Sequence, residues 1–535
     1  MRFSLRNIFP TIIFLISFLC IQAQPSTSER PRLVIGIMID GLQQKHLDML
    51  WNYFDPNGFK KIISQSANCR NVSYNIVSAG NASDIASVMT GSIPYYNGVV
   101  GNNFYNRSEN EIQSILEDES QTGIGTSQTL SAHKMLSSTV FDELMLTYPA
   151  KSKCYVVAQG AEEAIMLGGH TANSVVWMDD VNMKWVTTGY YKDGLSHWAD
   201  DMNVKGGFKA YATRVWEPLY NINTYISKPV KENKKEGFIY DPTSKKNRST
   251  GSILRNTPSA NSLVADLGMR IFTEEQLGSD KYPDVLLLQF SVRTPFEKTT
   301  ALQSAEKEDM YLRLDKDIQN ILHRIDSKIG LDKTIIFMFG NQTEIHSPTE
   351  LGENKIPAGY FNADRSLALL SSYLMIVYGQ QKWISGYYGK NIFLNKEKIE
   401  EKKLNLSSVQ QTVADFLLNF EGIQSAFTSS QVLNMGGNVN SDMTRVRNST
   451  NKNCVGDVII TLMPGWLEVD NKNNPVGESN AIISYTPLYF TGWQIKPQTI
   501  TTSYQTTDIA PTLSRLLNIP IPNACIGKPI EEITK

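Results

Sequence analysis

The chain has no surplus of positive charge to offer a nucleic acid. Its 51 Lys and Arg stand against 53 Asp and Glu, a formal net charge of −2, whereas binding a phosphate backbone needs a basic excess. Cysteine is scarce, five in 535 residues. Cys69, Cys154, Cys454 and Cys525, those beyond the N-terminal leader, show no CxxC spacing, which argues against a zinc knuckle. In an oxidising compartment they can form up to two bridges of undetermined pairing, and buried free thiols are the equal alternative. Beyond the leader no run is apolar for long enough to cross a bilayer, so no transmembrane segment is expected. There is no internal repeat. Histidine also gives out early: His346 is the last of six, and nothing after it can supply an imidazole.

What is present begins with an export leader. Arg2 and Arg6 precede the apolar run IFPTIIFLISFLC, and IQAQ follows with a small residue for a cut after Ala23. A basic flank, a short apolar core and a small-residue site make residues 1–23 a secretory signal. A lipid anchor at Cys20 fits poorly because bulky Leu19 precedes it. The expected location is therefore outside the cytoplasm, in the periplasm or on the surface of a Gram-negative bacterium. Residues 30–535 then form one large domain. Hydrophobic content of 41% and charge of 19% are ordinary for a globular chain, and the length suits an α/β domain with insertions.

Buried strands alternate with helices along this domain. RLVIGIMID (Arg32–Asp40), KCYVVAQG, DVLLLQFS and KTIIFMFG read as apolar strands. A long amphipathic helix from about Ala305 to Ile329 carries Leu314, Ile318, Ile321, Leu322 and Ile325 on one stripe. Strands joined through helices imply right-handed crossovers and a largely parallel sheet with helices on both faces. Between about 171 and 259 aromatics cluster (Trp177, Trp185, Tyr190, Tyr191, Trp198, Trp216) among polar, turn-rich pieces, which reads as an inserted cap. Asn81 and Asp84 have N-cap and N3 spacing, so Asn81 reads first as a helix cap.

In such sheets, ligands gather beyond the C-terminal strand ends. In KTIIFMFGNQTEIH, however, the strand end is followed by two amides, Asn341 and Gln342. PRLVIGIMIDGL, MTGSIPYYNGVVGNNFYN, YLRLDKDI and TTDIAPTLSRLLNIPIPNACIGKPI, in this order, resemble the alkaline phosphatase superfamily, and within it the exported bacterial phosphatases and type I phosphodiesterases. The resemblance implies the alkaline phosphatase-like α/β fold. It also implies hydrolysis of phosphate esters at two zinc ions, with a Thr or Ser attacking phosphorus.

Matching that pattern gives an uneven result. Asp40 stands where the first-strand ligand belongs and Asn102 where an asparagine contacts a phosphoryl oxygen. Asn81 takes the nucleophile position, Thr294 and Lys298 an Asp and a His, and Asn341 and Gln342 another Asp–His pair. Loop alignment puts the final His near Val476. Gly160 and Glu162 replace a Lys and an Arg that bind phosphate in the phosphatase branch. Amides hold zinc weakly and have no ionisable hydroxyl, so the site reads as vestigial, with Asp40 the one surviving ligand. Lys298 is expected to approach Asp40 and offset its charge. Ser78 and Ser83 lack a neighbouring base, and His133, His170 and His346 are scattered.

The first expectation is accordingly an exported, non-catalytic pseudo-phosphatase without a cofactor. It would bind an envelope protein or a glycan, with the aromatic cap as recognition surface. The alternative is an active metal-dependent phosphomonoesterase or phosphodiesterase with a rearranged site, in which case zinc is its cofactor.

Overall fold

The apolar runs pair into one mixed sheet. A computed structural model describes residues 30–77, 79–179, 182–230, 237–242, 251–294, 303–341, 346–434, 442–476 and 484–534. The main strands are β1 (Leu33–Asp40), β2 (Ser66–Tyr74), β3 (Cys154–Ala158), β4 (Ser174–Asp179), β5 (Lys184–Thr188), β6 (Asp284–Ser291), β7 (Thr334–Gly340) and β8 (Ser484–Gly492). Their order is β2-β8-β7-β1-β6-β3-β4-β5, with short edge strands Gln498–Ile500 and Gly123–Ile124 at either end. From β7 through β1, β6 and β3 to β4 every pairing is parallel. β8 and β5 run antiparallel to their neighbours. Every residue of β1, β6 and β7 is buried, as expected for parallel strands covered on both faces.

Five helices matter for the site. They are α1 (Asn81–Thr90), α2 (Ala161–Gly168), α3 (Pro258–Glu274), α4 (Ala305–Lys328) and α5 (Ile509–Leu517). One face of the sheet buries Leu314, Ile318, Ile321 and Ile325 of α4 with Leu263 and Leu267 of α3. The other buries Ile85 and Met89 of α1, Ile165 of α2 and Leu513 of α5. The stripe on α4 thus faces the sheet as its spacing requires.

The aromatic segment is present, and its tryptophans face inward. Trp177 and Trp185 lie on β4 and β5, within the main sheet, and Trp198 and Trp216 pack with α3 and α4. All four are at most 3% exposed. Composition marks such rings as core or interface alike. Here the sheet edge and two helices cover them, so they do not form a recognition surface.

The stretch between β7 and β8 holds an unforeseen second layer. A four-stranded sheet of Ile384–Tyr388, Asn391–Leu394, Ile423–Thr428 and Val458–Leu462 packs under helices Ala363–Tyr378 and Leu406–Leu417. It has its own core around Leu370, Trp383, Val413 and Ile460. The four cysteines Cys69, Cys154, Cys454 and Cys525 are free thiols. No helix among the described residues is long and apolar enough to cross a membrane.

Candidate active site

The site forms where β1, β6 and β7 end beside the N-termini of α1 and α2. β1 terminates in Asp40, which is 8% exposed. The Val292 amide donates to the Asp40 carbonyl at 2.9 Å, and the Arg293 amide donates to Ser291 Oγ at 3.1 Å. Those bonds curl the segment after β6 against β1. As a result Arg293 Nε reaches Asp40 Oδ1 at 2.7 Å. The cation that offsets Asp40 is therefore Arg293. Lys298, assigned that part from the sequence, lies outside the described residues, as does Gln342. Thr294 follows Arg293 and is buried.

Asn341 joins β7 to this pair. Its Oδ1 accepts from the Gly41 amide at 2.9 Å, which turns Nδ2 the other way, to donate to Asp40 Oδ1 and to Asn81 Oδ1 at 2.9 Å. Asn81 in turn donates through Nδ2 to Glu163 Oε1. A chain of side chains thus runs Arg293, Asp40, Asn341, Asn81, Glu163, from the ends of three strands and the starts of two helices.

This chain corrects the reading of Asn81 as a cap. Gly80 occupies the N-cap of α1, with φ 124°, a backbone value that favours glycine. A Cβ on Gly80 would also lie 2.4 Å from Asn102 Oδ1. The capping acceptor comes from that neighbouring side chain, since the Ala82 amide donates to Asn102 Oδ1 at 2.9 Å. Asn81, one residue into the helix, is left to point at the strand ends. Ser83 donates to the Gly80 carbonyl at 2.9 Å and is buried, so it takes no part, and Ser78 lies outside the described residues.

Glu163 is the candidate site residue that the sequence did not bring forward. It sits in the first turn of α2 and is 9% exposed. Burial, and then the neighbouring Glu162 carboxylate, push its carboxyl from the usual 4.5 up to about 7, while the Asn81 amide opposes the rise and Asp40 adds to it. Gly160 makes the room, for a Cβ there would fall 2.1 Å from Glu163 Oε2 and 3.2 Å from Arg255 Nη1. Glu162, expected from the sequence to replace one of two clamp cations, stands next to Glu163 in the same helical turn.

Zinc does not fit the donor set that the described residues offer. Asp40 Oδ1 already accepts from a guanidinium and an amide. The Asn341 oxygen is taken by a backbone amide and its nitrogen has no lone pair to give. Among the described residues no group of three His, Cys, Asp or Glu is placed to hold a metal ion. His170 bonds Tyr190 Oη at 3.0 Å and the Ser137 carbonyl at 3.2 Å, and His346 meets Glu350 at 2.9 Å. Both are structural contacts. Val476 is 41% exposed, and residues 477–483 after it are outside the described set.

Residues 34–493 match the family model described as type I phosphodiesterase / nucleotide pyrophosphatase. The chain belongs to this family. Among its relatives is a protein of Myroides odoratus named a calcium-transporting ATPase, 28% identical over 525 residues, covering 94% of this chain and 95% of that one. Alkaline phosphatase PhoV of Synechococcus elongatus is 28% identical over 532 residues, covering 96% and 94%. Alkaline phosphatase PafA of Elizabethkingia meningoseptica is 27% identical over 518 residues, covering 94% of each. The wild-type PafA crystal structure superimposes with a TM-score of 0.86 over 95% of this chain and 99% of that one.

The fold is thus alkaline phosphatase-like, and both the family and the two relatives named alkaline phosphatases are phosphoric ester hydrolases. That overturns the expectation of a non-catalytic binding or assembly component. Loss of activity was expected from the nucleophile position, five ligand positions and the clamp pair, whereas the likeness to named phosphatases runs the whole length of the domain.

Proposed function

We propose that the chain is an exported phosphoric ester hydrolase with a rearranged strand-end site, and that it acts on phosphodiesters in preference to monoesters. The observation that carries the reading is the near full-length likeness to PafA, together with five polar side chains drawn to one point at the strand ends where α/β folds hold their ligands. The leader at residues 1–23 supports export, with the envelope of a Gram-negative bacterium as its destination.

Charge decides between the ester classes. A monoester carries close to two negative charges at neutral pH and a diester carries one. With Glu162 and Gly160 at the clamp positions and Asp40 already holding Arg293, Arg255 beside Gly160 is the cation left near the phosphoryl position among the described residues. That suits one negative charge better than two. The Asn102 amide NH2, free to donate because its oxygen is bound to Ala82, suits a phosphoryl oxygen. Glu163 is the buried carboxylate beside position 81, where the family's hydroxyl attacks. As a carboxylate it can take a proton from water while that oxygen bonds to phosphorus and the ester oxygen leaves with its electron pair, to be protonated in turn.

Turnover of bis(p-nitrophenyl) phosphate and p-nitrophenyl phosphate by the mature chain, with and without added zinc, tests the proposal. Diester hydrolysis exceeding monoester hydrolysis, and lost in Asn102→Ala, is the expected result. A folded protein that turns over neither ester, with zinc or without, overturns it. Monoester preference overturns the choice of diester alone.

A further inference from the structure

Beside the strand-end site, a cavity of about 580 Å³ lies between the main domain and the second sheet. One wall is Ala79, Asn102, Phe104 and Tyr105, and the other is built around Tyr387, Tyr388 and Glu468. Ala79 and Asn102 belong to the turn that carries Asn81: the Asn102 amide donates to the Ala79 carbonyl at 3.2 Å, and Asn102 Oδ1 accepts from Ala82. The inner end of the cavity therefore meets the place where a phosphoryl group would sit.

The walls are held before any ligand arrives. Arg107 donates to Asp457 Oδ2 and to the Val455 carbonyl, both at 2.9 Å, and pins the 103–114 hairpin to the second sheet. Asp457 is buried and also accepts from the Leu394 amide at 2.8 Å. Tyr105 stacks on Phe393 with ring centroids 4.2 Å apart. A Cβ on Gly386 would fall 2.4 Å from the Tyr105 ring, so the rings close up without a gap. A preformed cavity of this size with aromatic rings on both walls is what small-molecule sites share. The polar group that sets it apart is Glu468, which is 5% exposed and accepts from Tyr387 Oη at 2.9 Å through Oε1.

We infer that this cavity holds the organic group of the ester: an aromatic ring system whose far end carries a hydroxyl or amine donor directed at Glu468. The inference rests on the phosphodiester reading, because the ester linkage would place the ring beside Asn102. Aromatic walls select a flat ring. A buried carboxylate with one oxygen already bonded and Lys390 on the same cavity wall rewards a donor and disfavours an apolar end, which would cut it off from water.

Binding of the free alcohols tests this without any turnover. Titration of the full mature chain with 2-naphthol and 2,6-dihydroxynaphthalene, read by calorimetry, is expected to give saturable binding, about tenfold tighter for the diol, as for a hydrogen bond to a charged group. In Glu468→Gln, which keeps an acceptor for Tyr387, the preference should shrink to about twofold. Ile112→Trp, at a lining position 52% exposed and so open to substitution, should block both ligands without lowering the melting temperature. No saturable binding, binding indifferent to Ile112→Trp, or a diol preference that survives Glu468→Gln overturns the inference. Diester hydrolysis that persists with such a result leaves the phosphodiester reading standing, and alcohol binding without hydrolysis of any ester sinks that reading alone.

Discussion

Replacing Glu163 by glutamine isolates the electrostatic cost of placing a carboxylate behind Asn81. The variant keeps an oxygen for the Asn81 amide to donate to and removes only the charge. With its folded-state value raised from 4.5 to about 7, Glu163 keeps its proton in the folded chain over a range where the unfolded chain has released it. Its contribution to stability is therefore complete below pH 4.5 and is lost as pH climbs through 7. A displacement of that size corresponds to about 3 kcal/mol, at 1.36 kcal/mol per unit.

The wild type should therefore lose ground against Glu163→Gln steadily between pH 4.5 and 7, and the gap should stop widening above about pH 8. Urea midpoints of the two proteins, taken side by side every half unit from pH 4.5 to 8.5, read this directly. Other buried acids, such as Asp317, pushed up to about 7 by burial, affect both proteins equally and drop out of the difference. A difference that is flat across the whole range would refute the reasoning. It would mean that Glu163 is ionised throughout, with more compensation than Asn81 supplies.

Two further substitutions probe the same chain of contacts. Arg293→Met should destabilise by about 2 kcal/mol, since among the described residues it leaves Asp40 buried with Asn341 as its side-chain partner. The loss is at the low end for a buried pair because Arg293 is itself 29% exposed. Asp40→Asn in the same background should recover most of that loss in urea unfolding, and a failure to recover would show that the guanidinium acts through packing. Gly160→Ala drives a methyl group to 2.1 Å from Glu163 Oε2 and should destabilise by about 1–2 kcal/mol. Adding Glu163→Ala should relieve the clash, and additive losses in the double variant would place the strain elsewhere.

Much of this site was legible from residue order. Asp40 and Asn341 sit at strand ends because five or more apolar residues in a row must be buried and a polar residue marks where burial stops. What the order concealed were Arg293 and Glu163. The segment after β6 could be counted back from YLRLD only by assuming its path, a count that brought forward Thr294 and Lys298 and passed over Arg293. The actual path is dictated by the Val292 amide pairing with β1, a bond between residues far apart in the chain. Glu163 is one of two acids in the first turn of α2, and only the packing of α2 beside α1 turns it toward Asn81. The second sheet went unread because its strands are short and none is as uniformly apolar as β1 or β7.

Local chemistry, then, settled which apolar stretches become the buried strands of the main sheet, where the sheet's mouth opens, and that an amide follows β7 there. Those properties depend on side chains near in sequence and on the period of burial. Tertiary structure alone decided that the aromatic rings turn inward, that an arginine answers Asp40, and that a carboxylate stands behind Asn81. Such pairings form between elements whose separation along the chain has no bearing on their distance in space. Their energies depend on how much water the surrounding fold excludes, which no local pattern encodes.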